Sequence, residues 1–150
     1  MIATTTMSVT HRLPVIGIPA DVREVGVHPF DAVGEKYVNA IAHGAGALPL
    51  LIPAFGPGRD LDAMTGHIDL DDLMGRLDGV FLSGGPSNVE PHHYGGDESA
   101  PGFALGVQWH PEWRVRDNPF SLALFTAFGD AARARAAGRT LDRTAATLGV

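Results

Sequence analysis

The residues with the clearest chemical potential in this chain are His110 and Glu112, which stand two positions apart with Pro111 between them. In extended backbone the side chains at i and i+2 share a face, so the carboxylate is expected to reach one imidazole nitrogen. Pro111 fixes a backbone angle and restricts the pair further. A carboxylate on one nitrogen leaves the other free to accept a proton, as in a general base with its orienting acid. An isolated His-x-Glu is more often a surface ion pair, and these two residues alone leave that interpretation open.

A second candidate is the turn that begins at Ser83 and continues through Gly84, Gly85 and Pro86. Two successive glycines tolerate positive φ, and consecutive N–H groups in such a turn can form a concave donor site for an oxyanion. The same residues also form ordinary tight turns. The turn gains weight only if it lies on the same rim as His110.

The elements that must position these residues follow from four short apolar runs and three amphipathic stretches. Strands are expected at 14–19, 48–53, 79–83 and 103–109, and helices at 33–45, at 61–77 with an interruption near Gly66, and at 119–137. Alternating strands and helices with continuous apolar strands predict an α/β fold with a mostly parallel sheet and helices on both faces. Ligands of such sheets bind beyond the carboxyl ends of the strands, where 83–88 and 110–112 fall. The acidic group Asp69, Asp71 and Asp72 is expected to cap a helix rather than bind a metal.

Composition excludes several classes of function. The net charge of −6 disfavours nucleic acid and anionic membranes as partners, and no run has the apolar length of a membrane span. There is no cysteine, which excludes disulfides and thiolate metal sites and is typical of a cytoplasmic protein. One domain is expected at 14–137, with a flexible leader at 1–13 that does not resemble a secretory signal and a loosely held tail at 138–150.

Taken together, these segments resemble the class I glutamine amidotransferase-like superfamily, and within it the γ-glutamyl-γ-aminobutyrate hydrolase family. The segments that carry the resemblance are 35–41, 79–86, 86–95 and 103–113. The resemblance implies a flavodoxin-like, doubly wound, three-layer fold, shortened here to about four strands. It covers about 14–128 with a break after Gly102, where the family has a long block bearing a nucleophilic cysteine. That block and its cysteine have no counterpart in this chain.

The family reaction assigns roles to the matching residues. In the family a cysteine thiolate attacks a γ-glutamyl amide, a histidine moves the proton and a glutamate holds the histidine. By resemblance His110 is the base and Glu112 its orienter. The loop residues expected at the oxyanion and substrate site are Gly84, Gly85, Pro86, Ser87 and Asn88. Without the nucleophile, little or no hydrolysis is expected from this chain by itself.

Three further expectations complete the interpretation. The alternatives to an inactive hydrolase relative are a binding or regulatory module for a γ-glutamyl or carboxylate ligand, and a subunit completed in trans. No cofactor and no metal are expected, since His92 and His93 match no recognised metal pattern. The segment 103–109 is expected to pair beside 79–83, leaving an exposed sheet edge through which a homodimer could form. Trp109 and Trp113 are expected to serve packing.

Overall fold

The computed structural model describes residues 12–83 and 109–148 of the chain, the last nine of them by their backbone alone. Its elements, in chain order, are β1 (Val15–Pro19), β2 (Asp21–Val25), β3 (His28–Ala32), α1 (Glu35–Asn39), a π-helical segment (Ala40–Ala45), β4 (Leu48–Ile52), α2 (Leu70–Arg76), β5 (Gly79–Val80) and α3 (Pro119–Leu148).

The central sheet has three parallel strands in the order β4-β1-β5. The apolar run of β1 forms the middle strand and pairs Val15 with Leu48 on one side and Ile16 with Gly79 on the other. The predicted α/β fold with a mostly parallel sheet is therefore confirmed, and its strand order matches the start of a flavodoxin-like sheet. Strand β5 covers only the first two residues of its predicted range. The predicted fourth strand lies outside the described residues except for Trp109, which is in a bend.

Helices lie on both faces of this sheet. Ile16 and Ile18 point to one face, where they are fully buried in the core with Ile41 of the π-helical segment and Phe125 of α3. Gly17 points to the opposite face, where Leu77 at the end of α2 approaches so closely that a Cβ on Gly17 would overlap its side chain. A sheet with helices on each side is the predicted three-layer arrangement.

The helix that follows β3 ends differently from an ordinary α-helix. After Asn39 it widens into the π-helical segment, and Gly46 closes it in the left-handed conformation at φ 62° with its N–H donated to the carbonyl of Ile41. Gly129 of α3 packs directly on this segment, and a Cβ there would overlap the carbonyl oxygen of Ala45. The close approach seats α3 against the end of the π-helical segment.

Helix α3 is longer than expected and is anchored to its neighbours through three arginines. It continues to Leu148, so the segment predicted as a tail from residue 138 begins inside the helix. Arg133 donates to the carbonyl of Ala45 (2.9 Å), Arg135 to that of Leu77 (3.3 Å) and Arg139 to that of Gly75. Orphan carbonyls at the ends of the π-helical segment and of α2 are thereby satisfied by α3.

The helix predicted at 61–77 is wrong over its first part. Only Leu70–Arg76 is helical, and residues 61–69 form turns in which Gly66 adopts φ 95°. The predicted cap is confirmed, since the Asp69 carboxylate accepts from the N–H of Asp71 at 2.9 Å. The backbone before Asp69 bonds to the preceding loop instead of forming a helix, since the N–H of Met64 donates to the carbonyl of Phe55.

An antiparallel hairpin between β1 and α1 was not predicted. Strands β2 and β3 pair Asp21 with Ala32 and Val25 with His28 around Gly26, which adopts φ 65°. Asp31 ties the hairpin to the chain after β4 by accepting from the N–H of Ala54 at 3.1 Å. The sequence of the hairpin does not alternate regularly between apolar and polar residues, and β3 contains a proline. It therefore lacks the pattern that predicts a half-buried strand.

Two expectations about the chain ends and membranes can be set beside the structure. Residues 1–11 of the predicted leader lie outside the described residues, and the division into leader, domain and tail stays a prediction. Among the described residues, no helix has both the length and the apolar character that crossing a bilayer would require.

Candidate functional site

His110 and Glu112 lie in a turn, not in extended backbone. The N–H of Trp113 donates to the carbonyl of His110 at 3.2 Å, with Pro111 at the second position of the turn, where its fixed φ is favourable. The expectation of an extended strand end was therefore wrong. The turn nevertheless brings the two side chains together. It buries Pro111 and Glu112 and leaves His110 exposed.

The predicted contact within the pair is present. His110 Nδ1 lies 3.0 Å from Glu112 Oε1. The imidazole is 75% exposed, whereas the carboxylate is 4% exposed. An ionised carboxylate can only accept, so a neutral imidazole in this contact carries its proton on Nδ1 and keeps a free lone pair on Nε2. The arrangement is that of a general base whose Nδ1 is held by a buried carboxylate and whose ring is exposed to solvent.

The structure adds a third residue that the sequence did not single out. Lys36, in the first turn of α1, places its Nζ 2.8 Å from Glu112 Oε1, the same oxygen that His110 contacts. The composition contained one indication that Lys36 is unusual, since it is the only lysine of the chain and all ten other cationic side chains are arginines. Its partner lies far away in sequence, and no spacing rule connects the two.

The ionisation of Glu112 and Lys36 is mutually supported. Burial by itself raises the pKa of the Glu112 carboxyl, but the hydrogen bond and positive charge of Lys36, with a smaller part from His110, hold it below its ordinary value. The hydrogen bond to Glu112 raises the pKa of the Lys36 amine above its ordinary value despite partial desolvation. The carboxylate and the ammonium are thus each held in their charged form.

Aromatic packing fixes the position of Lys36. Its ammonium lies 4.7 Å from the centroid of the Tyr37 ring, a cation–π contact. Tyr37 packs on Phe81 with ring centroids 5.9 Å apart, and Phe81 packs edge-on against Phe125 of α3 at 5.6 Å. The site is therefore connected by side-chain contacts to the buried core.

The turn bearing His110 is held between the core and α3. Val115 is fully buried, and Arg114, with φ 49°, closes on Asp117 at 2.7 Å. Asn118 then caps α3 by accepting from the N–H of Phe120 at 3.0 Å, with Pro119 in the first helical position as its sequence suggested. The buried Val115 and the cap at Asn118 thus hold in place the residues that follow His110.

The remaining predicted site residues are only partly covered. Ser83 lies just beyond β5, but the loop residues Gly84, Gly85, Pro86, Ser87 and Asn88 lie outside the described residues, as do His92 and His93. Trp113 is 64% exposed and Trp109 49% exposed, and Trp109 stacks on Phe120 with ring centroids 5.9 Å apart. Within 12–83 and 109–148, no three acidic or histidine side chains are grouped as a metal site.

The position of the pair in the fold defines the class of protein. Lys36 begins the helix that follows β1 and its hairpin, so Glu112 and His110 lie at the carboxyl end of the parallel sheet. An α/β sheet of this order with a histidine and a glutamate at that end is typical of class I glutamine amidotransferase-like domains. The chain belongs to the Peptidase C26 family of this class, whose model matches residues 14–102.

Its relatives carry a specific name. The chain is 41% identical over 87 residues to the γ-glutamyl-γ-aminobutyrate hydrolase PuuD of Escherichia coli (strain K12), and 41% to the γ-glutamyl-γ-aminobutyrate hydrolase of Shigella sonnei (strain Ss046). The protein of that name in Shigella flexneri is 40% identical. Each match covers 57% of this chain and 31% of the relative, so the chain spans about a third of the length of these relatives.

The family match includes Lys36 but not the base. It ends at residue 102, before His110 and Glu112. The roles of those two residues therefore depend on the motif around them and on the geometry described above.

Proposed function

We propose that this chain supplies the acid–base half of a γ-glutamyl amide hydrolase site and does not turn over substrate by itself. The observation that carries the proposal is the exposed imidazole of His110 anchored through Nδ1 to the buried carboxylate of Glu112 at 3.0 Å. That geometry serves to accept a proton from a nucleophile and return it to a leaving amine. The family resemblance and the names of the relatives support a γ-glutamyl amide as the substrate class.

These 150 residues contain no cysteine, and hydrolysis by the family chemistry then needs a thiolate from outside them. Removing the nucleophile of such a unit typically costs several powers of ten in kcat. The same absence favours a second candidate, a binding module that takes a γ-glutamyl or carboxylate ligand without chemistry. A cytoplasmic location is part of the proposal in both cases.

The test uses the full chain with γ-glutamyl-γ-aminobutyrate. Binding is followed through the His110 imidazole signals in NMR spectra, and hydrolysis through release of glutamate. We expect the ligand to shift those signals and no glutamate release above that of His110→Ala. The matched control is His43→Ala, which removes an exposed histidine of the π-helical segment and should bind as the wild type does.

Two results would contradict the proposal. Turnover by the pure chain that His110→Ala abolishes would show a complete active site, and absence of any ligand effect at His110 would remove the site altogether. Intact-mass measurement of active fractions from the native source distinguishes completion in trans from the binding module. Recovery of this chain with a cysteine-bearing partner in the active fraction supports completion in trans.

A homodimer through an exposed sheet edge belongs to the same proposal. Strand β4 turns the N–H of Leu48 and the carbonyl of Ile52 toward β1, so its outward-facing positions are Pro49, Leu51 and Pro53. The prolines have no N–H, which leaves the Leu51 amide as the only donor of the three. We infer that any association at β4 depends on side chains, chiefly Leu48 and Leu50, which are 50% and 44% exposed.

Sedimentation of paired variants tests the dimer. Leu50→Glu should convert dimers to monomers, because a charge would be placed in the apolar contact. Leu70→Glu, at a leucine of α2 that is 58% exposed, is the control and should leave the association unchanged. A wild-type chain that is monomeric at all accessible concentrations would end the dimer proposal.

A further inference from the structure

One oxygen of Glu112 serves two cationic or potentially cationic partners. Lys36 Nζ lies 2.8 Å and His110 Nδ1 3.0 Å from the same Oε1. Exposure increases outward from the carboxylate at 4%, through Lys36 at 33%, to His110 at 75%. A buried carboxylate requires a counter-charge, and in this site either Lys36 or His110 can provide it.

The protonation of this cluster decides whether His110 can act as a base. If Glu112 were protonated, its O–H could donate to Nδ1, which would move the imidazole proton to Nε2 and leave no outward lone pair. If His110 provided the counter-charge instead, it would be an imidazolium with both nitrogens protonated. Only an ionised Glu112 that is neutralised by another group leaves Nε2 unprotonated.

We propose that Lys36 is a positioning residue for the base: its ammonium neutralises Glu112, so that His110 stays neutral with its proton on Nδ1 and Nε2 free. The proposal deepens the proposed function and rests on it for the use of that nitrogen. Lys36 does not contact the reacting groups and acts only through Glu112.

The surroundings of Lys36 fit this role. Among the described residues, the ionisable groups that contact Glu112 are Lys36 and His110, and Tyr37 lies against the ammonium. Lysine presents a compact charge that can share one oxygen, whereas an arginine fork would tend to occupy both carboxylate oxygens and compete with His110. The lowered pKa of Glu112 and the raised pKa of Lys36 agree with the neutralised pair.

The composition of the chain makes a clean test available. The chain has no cysteine, so Lys36→Cys creates a unique thiol. Alkylation with 2-bromoethylamine rebuilds an ammonium on a side chain of lysine length, and alkylation with iodoacetamide adds a neutral group of similar size. The two products differ mainly in charge at one position.

The readout is the ¹⁵N chemical shift of His110 Nε2 at pH 7, which distinguishes a protonated from an unprotonated nitrogen. In the wild type we expect Nε2 to be unprotonated. In Lys36→Cys and in its iodoacetamide product the unprotonated fraction should fall below that of the wild type, and in the bromoethylamine product it should recover. The His110 signals are assigned by their loss in His110→Gln.

A fraction that is the same in the wild type and in Lys36→Cys overturns the proposal, as does recovery with the neutral alkyl group. If Lys36→Cys does not fold, the wild type still decides the question. Reductive methylation with ¹³C-formaldehyde labels Lys36 and the N-terminus alone, and the Lys36 signal should titrate above the ordinary lysine pKa and shift down in Glu112→Gln. A Lys36 signal that is unaffected by Glu112→Gln overturns the proposal.

Failure of this inference is distinguishable from failure of the proposed function. These measurements need no ligand, so Lys36 can fail as a positioning residue while γ-glutamyl-γ-aminobutyrate still shifts the His110 signals. Conversely, an Nε2 state that depends on Lys36 with no response to γ-glutamyl-γ-aminobutyrate contradicts the function alone.

Discussion

Two buried carboxylates in this molecule have nearly the same exposure and very different partners. Asp78 is 3% exposed and Glu112 is 4% exposed. Asp78 Oδ2 accepts from the N–H of Val15 at 2.8 Å, and Oδ1 pairs with Arg139 at 2.5 Å. In Glu112 both side-chain contacts converge on a single oxygen, and one of the partners is a solvent-exposed histidine.

The difference separates a structural carboxylate from one proposed to be functional. Asp78 has each oxygen bonded to a group of the interior, and it joins the start of β1 to the far end of α3. Nothing at that position is presented to solvent for chemistry. Glu112 instead contacts an imidazole on the surface, as an orienting acid does in a catalytic triad.

The largest effect is expected from breaking the structural carboxylate. Asp78→Ala leaves Arg139 without its carboxylate and the N–H of Val15 without its acceptor, and should lower the free energy of unfolding by about 3–5 kcal/mol. Urea denaturation followed by circular dichroism measures it. Asp72→Ala removes an exposed pair with Arg76 at 2.9 Å and should cost only about 0.3–0.5 kcal/mol. Equal losses in the two variants would contradict the structural role of Asp78.

A smaller loss is expected at the functional carboxylate. Glu112→Gln keeps the size of the side chain but removes its charge, and Lys36, which is 33% exposed, can turn toward water. The free energy of unfolding should fall by about 1.5–3 kcal/mol, in the range of hydrogen bonds to charged groups. The same denaturation experiment compares it with Asp78→Ala. A loss larger than that of Asp78→Ala would reverse the contrast between the two sites.

The smallest effect is the pH dependence of the functional pair. The folded pKa of Glu112 is lowered from 4.5, so its contribution to stability is complete above pH 4.5 and is lost as the pH falls through the folded value. The folded pKa of Lys36 is raised from 10.5, so its contribution is complete below pH 10.5 and is lost as the pH rises through the folded value. The stability difference between wild type and Glu112→Gln should therefore be flat between these limits and shrink outside them. A difference that grows on acidification below pH 4.5 would contradict the assignment.

Much of the sheet was predictable from the sequence, because its strands are continuous apolar runs bounded by proline or glycine. The ranges of β1 and β4 agree with the prediction to within a residue at each end. The helix end at Gly46 and the cap at Asp69 were predictable for a similar reason, since each depends on one residue and its immediate neighbours.

The errors occurred where long-range contacts outweigh local pattern. Residues 61–69 have helical spacing but bond to Phe55 and to Gly58 instead. The hairpin of β2 and β3 is held partly by Arg59, which contacts the carbonyl of Val27 and lies 3.5 Å from Glu24. The end of α3 extends past the predicted residue 137, and Arg139 binds Gly75 and Asp78 there. The partners of Arg139 are more than 60 residues away in sequence, and those of Arg59 more than 30.

By itself the sequence determined the α/β class, singled out His110 and Glu112 as the candidate base and orienting acid, and showed no cysteine in these 150 residues. These follow from residue type and from spacing over a few positions. Only the tertiary structure decided that His110 and Glu112 meet through a turn, that the carboxylate is buried and that Lys36 shares its oxygen. The reason is physical: the ionisation of a buried acid depends on which charges the fold brings within hydrogen-bonding distance, and for Glu112 that charge comes from a helix distant in sequence.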